Sequence, residues 1–329
     1  MKATNVSRGA AVIVLCSVLS TMAAAVETLN LYTGNASQNT AVRELQAAGM
    51  EIAKRTEGRV NLRIHLAGSL QIQVPDINQA VSDNILQIGD DQQFASAVPV
   101  AGILRLPALL RSREEFERAA EIIKPYVEAQ YSKRNLLVLG TYYYPPLLVF
   151  SAKRKVDSLA DLKGMKIRTL SPESSEWVKR VGGSPVTLSF PELAPALDRT
   201  TIDAVLTTAS GAGWALRDLI KYNYRLSIAF SQVYEVINKS TNDKLDPTDR
   251  KVLAEVFDQT LRGLTQKIAV DDVTLTQRMK EMGMQISEPT AEDDARSQTA
   301  MSTFWDGWAK DRGPVVVEAL AKVRTALGR

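Results

Sequence analysis

The chain has 329 residues, 45% of them hydrophobic and 23% charged, with a formal net charge of +3. That is a globular balance, long enough for two domains, and no basic run interleaved with aromatic residues points to nucleic acid. A single histidine, His65, and a single cysteine, Cys16, cannot build a zinc site of the usual His/Cys kind.

Residues 1–25 read as a secretory leader. Lys2 and Arg8 precede an apolar stretch too short to span a bilayer comfortably, and Ala23-Ala24-Ala25 offers a cleavage site after Ala25. Cys16 lies inside this segment, behind Leu15 where a lipoprotein signal wants a small residue. The mature chain is therefore expected to have no thiol, hence no disulfide and no thiol catalysis. A membrane anchor is the alternative reading.

Residues 28–33 (TLNLYT) alternate as a strand, and 40–56 place Val42, Leu45, Met50 and Ile52 on a helical face. A strand over 60–66 follows; it holds His65 among alternating apolar residues, which reads as structural. Pro75 opens a helix through Val81, and 85–89 is the next strand, ending in Asp90-Asp91-Gln92-Gln93. This alternation predicts a mostly parallel sheet covered by helices. Ligands of such sheets sit beyond the carboxyl ends of the strands, which singles out Asn35, Gln92 and Arg168.

Residues 136–151 (LLVLGTYYYPPLLVFS) form two strand-like runs flanking Tyr142-Tyr143-Tyr144-Pro145-Pro146, either an exposed turn or a pocket wall. The stretch 161–177 (DLKGMKIRTLSPESSEW) carries Arg168 near the exit of an apolar strand, before a Ser-Pro turn and a helix over 172–181. Burying that arginine requires a partner from the chain, such as Glu173 or Glu192, or from a ligand. A breaker (Gly182-Gly183), a strand over 185–188, a helix over 191–197 and a strand over 202–206 follow. Thr207-Thr208-Ala209-Ser210-Gly211 then leads to a helix containing Trp214, so a second α/β unit follows residue 149. Asp246-Pro247 is a strong helix start. Its apolar periodicity runs to Gly283, about 36 residues or roughly 54 Å, longer than one domain.

No cofactor is expected: no Walker A sequence and no G-x-G-x-x-G follows a strand. A Ser-His-Asp triad would need His65, which has no nucleophile elbow nearby. No metal site is expected. Carboxylate-based hydrolysis stays open, since 37 acids leave candidate pairs.

The combination LADLKGMKIRTL, VGGSPVTLSFPELAPAL and TIDAVL resembles the solute-binding proteins of tripartite ATP-independent periplasmic (TRAP) transporters. It supplies Asp161, Leu162, Lys163, Gly164, Lys166, Ile167 and Arg168, then Gly183, Pro185, Val186, Phe190, Glu192, Ala196 and Leu197, then Asp203. GRVNLRIHLAGSL, LRLPALL and VYEVINKS also fit. The resemblance implies an α/β, two-domain, periplasmic-binding-protein-like fold with a long helix spanning both domains. Domain I would take 26–148 plus about 232–265, and domain II 149–231 plus about 266–329. It further implies a ligand held in the interdomain cleft, hinge closure, and Arg168 pairing with a ligand carboxylate. A periplasmic location, a monomeric receptor and membrane permease subunits as partners go with it, and no catalysis.

Two departures bear on the ligand. Asp203-Ala204-Val205-Leu206-Thr207 replaces the family's D-G-x-E-N, putting Thr207 at the amide position. No Lys or Arg lies between Arg134 and Lys153, where dicarboxylate binders carry a second basic residue. The expected ligand is thus a small organic monocarboxylate whose aromatic or apolar body packs on Tyr143, Tyr144 or Trp214. Asn35, Gln92 and Ser210 add strand-end contacts. Helix packing is the plainer account of Trp177 and Trp214. A receptor presenting its ligand to a signalling partner and a secreted carboxylate-dependent hydrolase are the rival functions.

Overall fold

The computed structural model describes residues 26–35, 37 and 39–329, so the expected leader, its Cys16 and the cut after Ala25 lie outside the described residues. The chain begins with β1 (Glu27–Tyr32), α1 (Thr40–Arg55), β2 (Val60–His65), α2 (Ile77–Ser82), β3 (Ile88–Asp91), α3 (Arg113–Ser132) and β4 (Leu136–Tyr144). It continues through β5 (Leu148–Ser151), β6 (Lys166–Thr169), α4 (Pro172–Arg180), β7 (Ser184–Thr187), α5 (Leu193–Asp198), β8 (Ala204–Thr207) and β9 (Tyr222–Tyr224). It ends with β10 (Ser231–Asn238), α6 (Lys239–Lys244), α7 (Pro247–Glu281), β11 (Gln285–Ser287), α8 (Ala291–Asp311) and α9 (Pro314–Ala326).

These strands form two sheets, the cores of a two-lobed α/β molecule. The first has the order β2-β1-β3-β10-β4 and the second β11-β9-β5-β8-β6-β7. The first is mostly parallel, as expected, but with one reversed strand. β1, β2 and β3 run parallel, but β10 is antiparallel to both β3 and β4. The second sheet is mixed as well, with β5 antiparallel to β8 and β9. The physical reason is that β10 returns from the second lobe. It enters the first sheet against the run of the strands built by local helix crossovers.

Local chemistry sets most helix starts. Asn39 accepts from the Ala41 amide at the start of α1, whose Ala41, Leu45, Ala48 and Ile52 are buried on one face. Asp246 caps α7 through the Thr248 amide, with Pro247 at the first position. At 35 residues α7 is about 52 Å long. It shares a core with α1 through Leu253, Phe257, Leu261 and Ile268, and its Met279 joins the apolar cluster of the second lobe. The long helix therefore spans both lobes.

Two further segments cross between lobes. The residues after β4 and those before β10 hydrogen-bond each other: the Leu147 amide donates to Ala229 O at 2.8 Å and the Ile228 amide to Leu147 O at 3.0 Å. Pro145 and Pro146 restrict the first crossing. Short connections of this kind can absorb a rotation of one lobe on the other.

The strand expected over 85–89 begins later, at Ile88, so Asp90 and Asp91 lie within it. Asn84 takes a left-handed φ of 58° and Ile85 is exposed, because the turn from α2 consumes the start of the apolar run. The expected helix at Trp214 is only a short, wide and irregular turn, Ala209–Gly213, carried a little further. α3, α8 and α9 add three helices beyond the predicted elements. α9 packs on α3 and on the turn Pro99–Arg105, and Trp305 of α8 donates to Pro107 O at 2.9 Å. Gly102 in that turn faces Trp308, and a Cβ there would lie 2.8 Å from Cζ2. Gly102→Ala is expected to destabilise the protein by about 1–3 kcal/mol through overpacking, read as a lowered Tm in thermal unfolding.

Candidate functional site

The segment leading to Arg168 is a scaffold built by its own signature residues. Asp161 accepts from the Ser158 amide at 2.9 Å and closes a capping box, and Gly164 takes a φ of 74° that favours glycine. Asp203 accepts from the Lys166 amide at 2.7 Å, tying β6 to the start of β8. Ile167 faces the core shared with Trp177 and Val178 of α4. Arg168 therefore points to the opposite face of the sheet, between Val186 of β7 and Val205 of β8.

Arg168 is 7% exposed, and its Nε donates to Leu188 O at 3.1 Å. No carboxylate pairs with it among the described residues. Glu173 is engaged by Trp308 Nε1 at 3.1 Å and Arg312 at 3.6 Å, while Glu192 caps its own turn through Ser189. Burial without a counter-charge pulls the Arg168 guanidinium below its usual range. Leu170 and Phe190, each two residues along the chain from Arg168 and Leu188, are more than half exposed.

Thr207 ends β8 on the same face as Arg168 by strand alternation. Its Oγ1 accepts from the Ala212 amide at 3.0 Å, and Thr208 Oγ1 accepts from the Gly211 amide at 2.8 Å. Glycine is required at 211, where a Cβ would lie 2.9 Å from Thr208 Oγ1. Ser210 is committed to α7: its amide and Oγ donate to Asp272 Oδ1 at 2.8 and 3.0 Å. Burial raises the Asp272 carboxyl above its usual range, which these bonds oppose. Trp214 lies half-buried beneath the Arg217 guanidinium, 4.6 Å from its ring.

In the first lobe, Asn35, Gln92 and Tyr144 gather around Asp90 near the carboxyl end of β3. Asn35 Nδ2 donates to Asp90 Oδ2 at 2.9 Å and Gln92 Nε2 at 3.2 Å. Tyr144 stands 5.9 Å from the Tyr142 ring, and burial beside Asp90 pushes its hydroxyl up to about 12. Tyr143 is elsewhere. Neighbouring strand residues face opposite ways, so Tyr143 and Tyr144 do not share a pocket wall. The Tyr143 ring packs on Phe116 and its hydroxyl donates to Glu117 at 2.7 Å, in a groove of about 610 Å³ between α3, β4 and α7. That groove includes none of Arg168, Thr207, Asn35 or Gln92, and on its rim Arg113 pairs with Glu117 and Arg262 with Asp258. His65 bonds Asn30 at 3.1 Å within the first sheet.

Sequence reasoning missed Arg105. Its Nε donates to Gln232 Oε1 at 3.2 Å and one terminal nitrogen to Gln92 O at 2.9 Å, and its guanidinium lies 4.2 Å from the Phe94 ring. Burial lowers its affinity for the proton. The signal available was a lone arginine in the apolar run LRLPALL.

A bacterial extracellular solute-binding protein family, family 7, matches residues 22–311. The 2,3-diketo-L-gulonate-binding periplasmic protein YiaO of Escherichia coli is 25% identical over 242 residues, 71% of this chain and 73% of its own. The fold matches DctP6 of Bordetella pertussis, an extracytoplasmic solute receptor binding pyroglutamic acid, with a TM-score of 0.78 at 24% identity, over 90% of this chain and all of that one. It also matches a TRAP periplasmic solute-binding protein of Chromohalobacter salexigens with bound D-glucuronate, with a TM-score of 0.79 at 17% identity, over 91% and 99%.

Proposed function

The chain belongs to bacterial extracellular solute-binding protein family 7 and is a TRAP receptor for small organic acids, and on that premise we propose that it holds a monocarboxylate against Arg168 and delivers it to a membrane permease. The observation that carries this reading is a buried guanidinium at a strand end with no acid partner among the described residues. Its planar fork matches the two oxygens of a carboxylate. The half-exposed Leu170 and Phe190 offer an apolar lip beside it. Asn35, Gln92 and Tyr144 approach from the first lobe and Thr207 from the second; Ser210 and Trp214 shape the turn beneath, and Tyr143 is left out of the contact set.

In this reading the first domain comprises 26–148 with about 232–265, and the second 149–231 with about 266–329. The ligand stabilises the closed form because only that form touches it from both sides. The relatives' ligands, a diketogulonate, pyroglutamate and glucuronate, are small organic acids and agree with a carboxylate anchor. A dicarboxylate is the second reading, favoured by Arg105, which has one terminal nitrogen with no bond among the described residues.

Native mass spectrometry of protein purified from its periplasmic form, followed by a thermal-shift screen, tests this. A co-purified acid of intact mass and stabilisation by pyroglutamate or glucuronate, but not succinate, is expected. Stabilisation by succinate alone would favour the second reading. No response to any acid, or release of a hydrolysed product, would overturn both.

A further inference from the structure

We propose that Asp90 is the positioning residue of the first lobe's ligand face, and that Glu235 carries the proton that lets Asp90 hold that place. The inference rests on reading Asn35 and Gln92 as ligand-facing. β3 and β10 are antiparallel with Asp90 directly opposite Glu235. Both side chains are fully buried, on the sheet face covered by α1 and α7.

Their hydrogen bonds are unequal. Asp90 accepts from four neutral donors: Thr33 Oγ1, Asn35 Nδ2 at 2.9 Å, Gln92 Nε2 at 3.2 Å and Tyr142 OH at 3.2 Å. Among the described residues, Glu235 has no hydrogen-bond partner on either oxygen. A buried carboxylate surrounded by donors keeps its charge, and one without donors keeps its proton. The negative charge therefore sits on Asp90 and the proton on Glu235. A bound metal ion fits less well. It would compete with the donors already held by Asp90, whose Oδ2 accepts from Thr33, Asn35 and Gln92 and whose Oδ1 accepts from Tyr142.

Among the described residues, the surroundings offer Glu235 no counter-charge. β3 contributes Asp90 and Asp91, the latter turned to the other face and held by Asn78 at 2.7 Å and Tyr131 at 3.0 Å. β4 contributes Tyr142 and Tyr144. Opposite Glu235 on β4 is Gly140, where a Cβ would lie 2.7 Å from Leu261 Cδ1 of α7. Leu45 of α1 and Phe257 of α7 complete the apolar cover. Charges of those helices pair off: Glu44 with Lys267 and Arg55 with Glu255, and Asp249 with Arg59. Arg105 acts on Asp91, from the other face. Burial together with Asp90 and Asp91 holds the Glu235 carboxyl well above the usual range, and burial pushes Asp90 up to about 6.

Asp90 thus fixes two amides that end on the ligand side. When Glu235 ionises, two negative charges face each other across adjacent strands, and Asp90 and its amides must shift. Because the folded state holds this proton above the ordinary carboxyl range, stability is greatest at acid pH. It falls as pH rises from about 4.3 through the folded-state value.

The test uses ligand-free protein, so its outcome is separate from that of the carboxylate reading. Tm is measured from pH 7 to 9, above the Asp90 range, for the wild type, Glu235→Gln and Asp90→Asn, with side-chain amide NMR of Asn35 and Gln92. The wild type is expected to lose about 5 °C across this range, with both amide resonances moving at one midpoint. Glu235→Gln keeps the neutral shape, so its Tm at pH 8.5 rises and its amides stay fixed. Asp90→Asn displaces both amides at every pH. A Glu235→Gln variant with the wild-type pH slope, or amides that ignore pH in the wild type, would overturn the inference. So would a Tm shift on exchanging sodium for a large organic cation at constant ionic strength. If Glu235→Gln does not fold, the wild-type Glu235 carboxyl ¹³C titration decides: a midpoint near 4.3 sinks the proposal.

Discussion

Replacing Arg168 by alanine is expected to remove ligand-induced thermal stabilisation while leaving the ligand-free protein as stable as before, or slightly more so. The side chain is 7% exposed with one hydrogen bond, to Leu188 O, and no counter-charge among the described residues. A desolvated, unpaired cation stabilises nothing in the empty protein. In the complex it would meet a carboxylate in a water-poor cleft, where truncating one partner costs about 2–5 kcal/mol. At 1.4 kcal/mol per tenfold, that is a loss of about 30- to 4,000-fold in affinity. Arg168→Lys should recover only part of it, because an ammonium lacks the planar fork. Isothermal titration with the acid found by the thermal-shift screen measures both. Full affinity in the alanine variant would end the carboxylate model.

Trp177→Ala should show the opposite signature. Trp177 is fully buried between α4 and α8, and its Nε1 donates to Ser297 Oγ at 2.8 Å. Truncation opens a cavity and leaves a buried hydroxyl unpaired, a loss of about 3–5 kcal/mol. For a chain of this size that is about 10 °C in Tm. Trp177→Phe refills most of the volume and should recover more than half of the loss. Protein that still folds at low temperature should keep its affinity for the acid, since the indole lies in the core on the face away from Arg168. Thermal unfolding and titration of the two variants side by side thus separate a packing residue from a ligand anchor.

What is decided within a few residues is already written in the amino-acid order. The caps at Asn39 and Asp246 and the apolar period of α7 are local hydrogen bonds and local spacing. So is the strand that lifts Arg168 to its end beyond the DLKG turn, with Gly164 at a positive φ. Asn35 and Gln92 were legible as strand-end residues for the same reason. Tertiary structure alone decided which distant strands meet. β10 slots between β3 and β4 as the one strand of its sheet running the other way, and its register brings Glu235 opposite Asp90. Tyr143 and Tyr144, adjacent in sequence, fall to opposite faces, one to Phe116 and the other toward Asp90. Register is fixed by which face each strand must bury, and a chain read one neighbourhood at a time holds no record of the partner across the ladder.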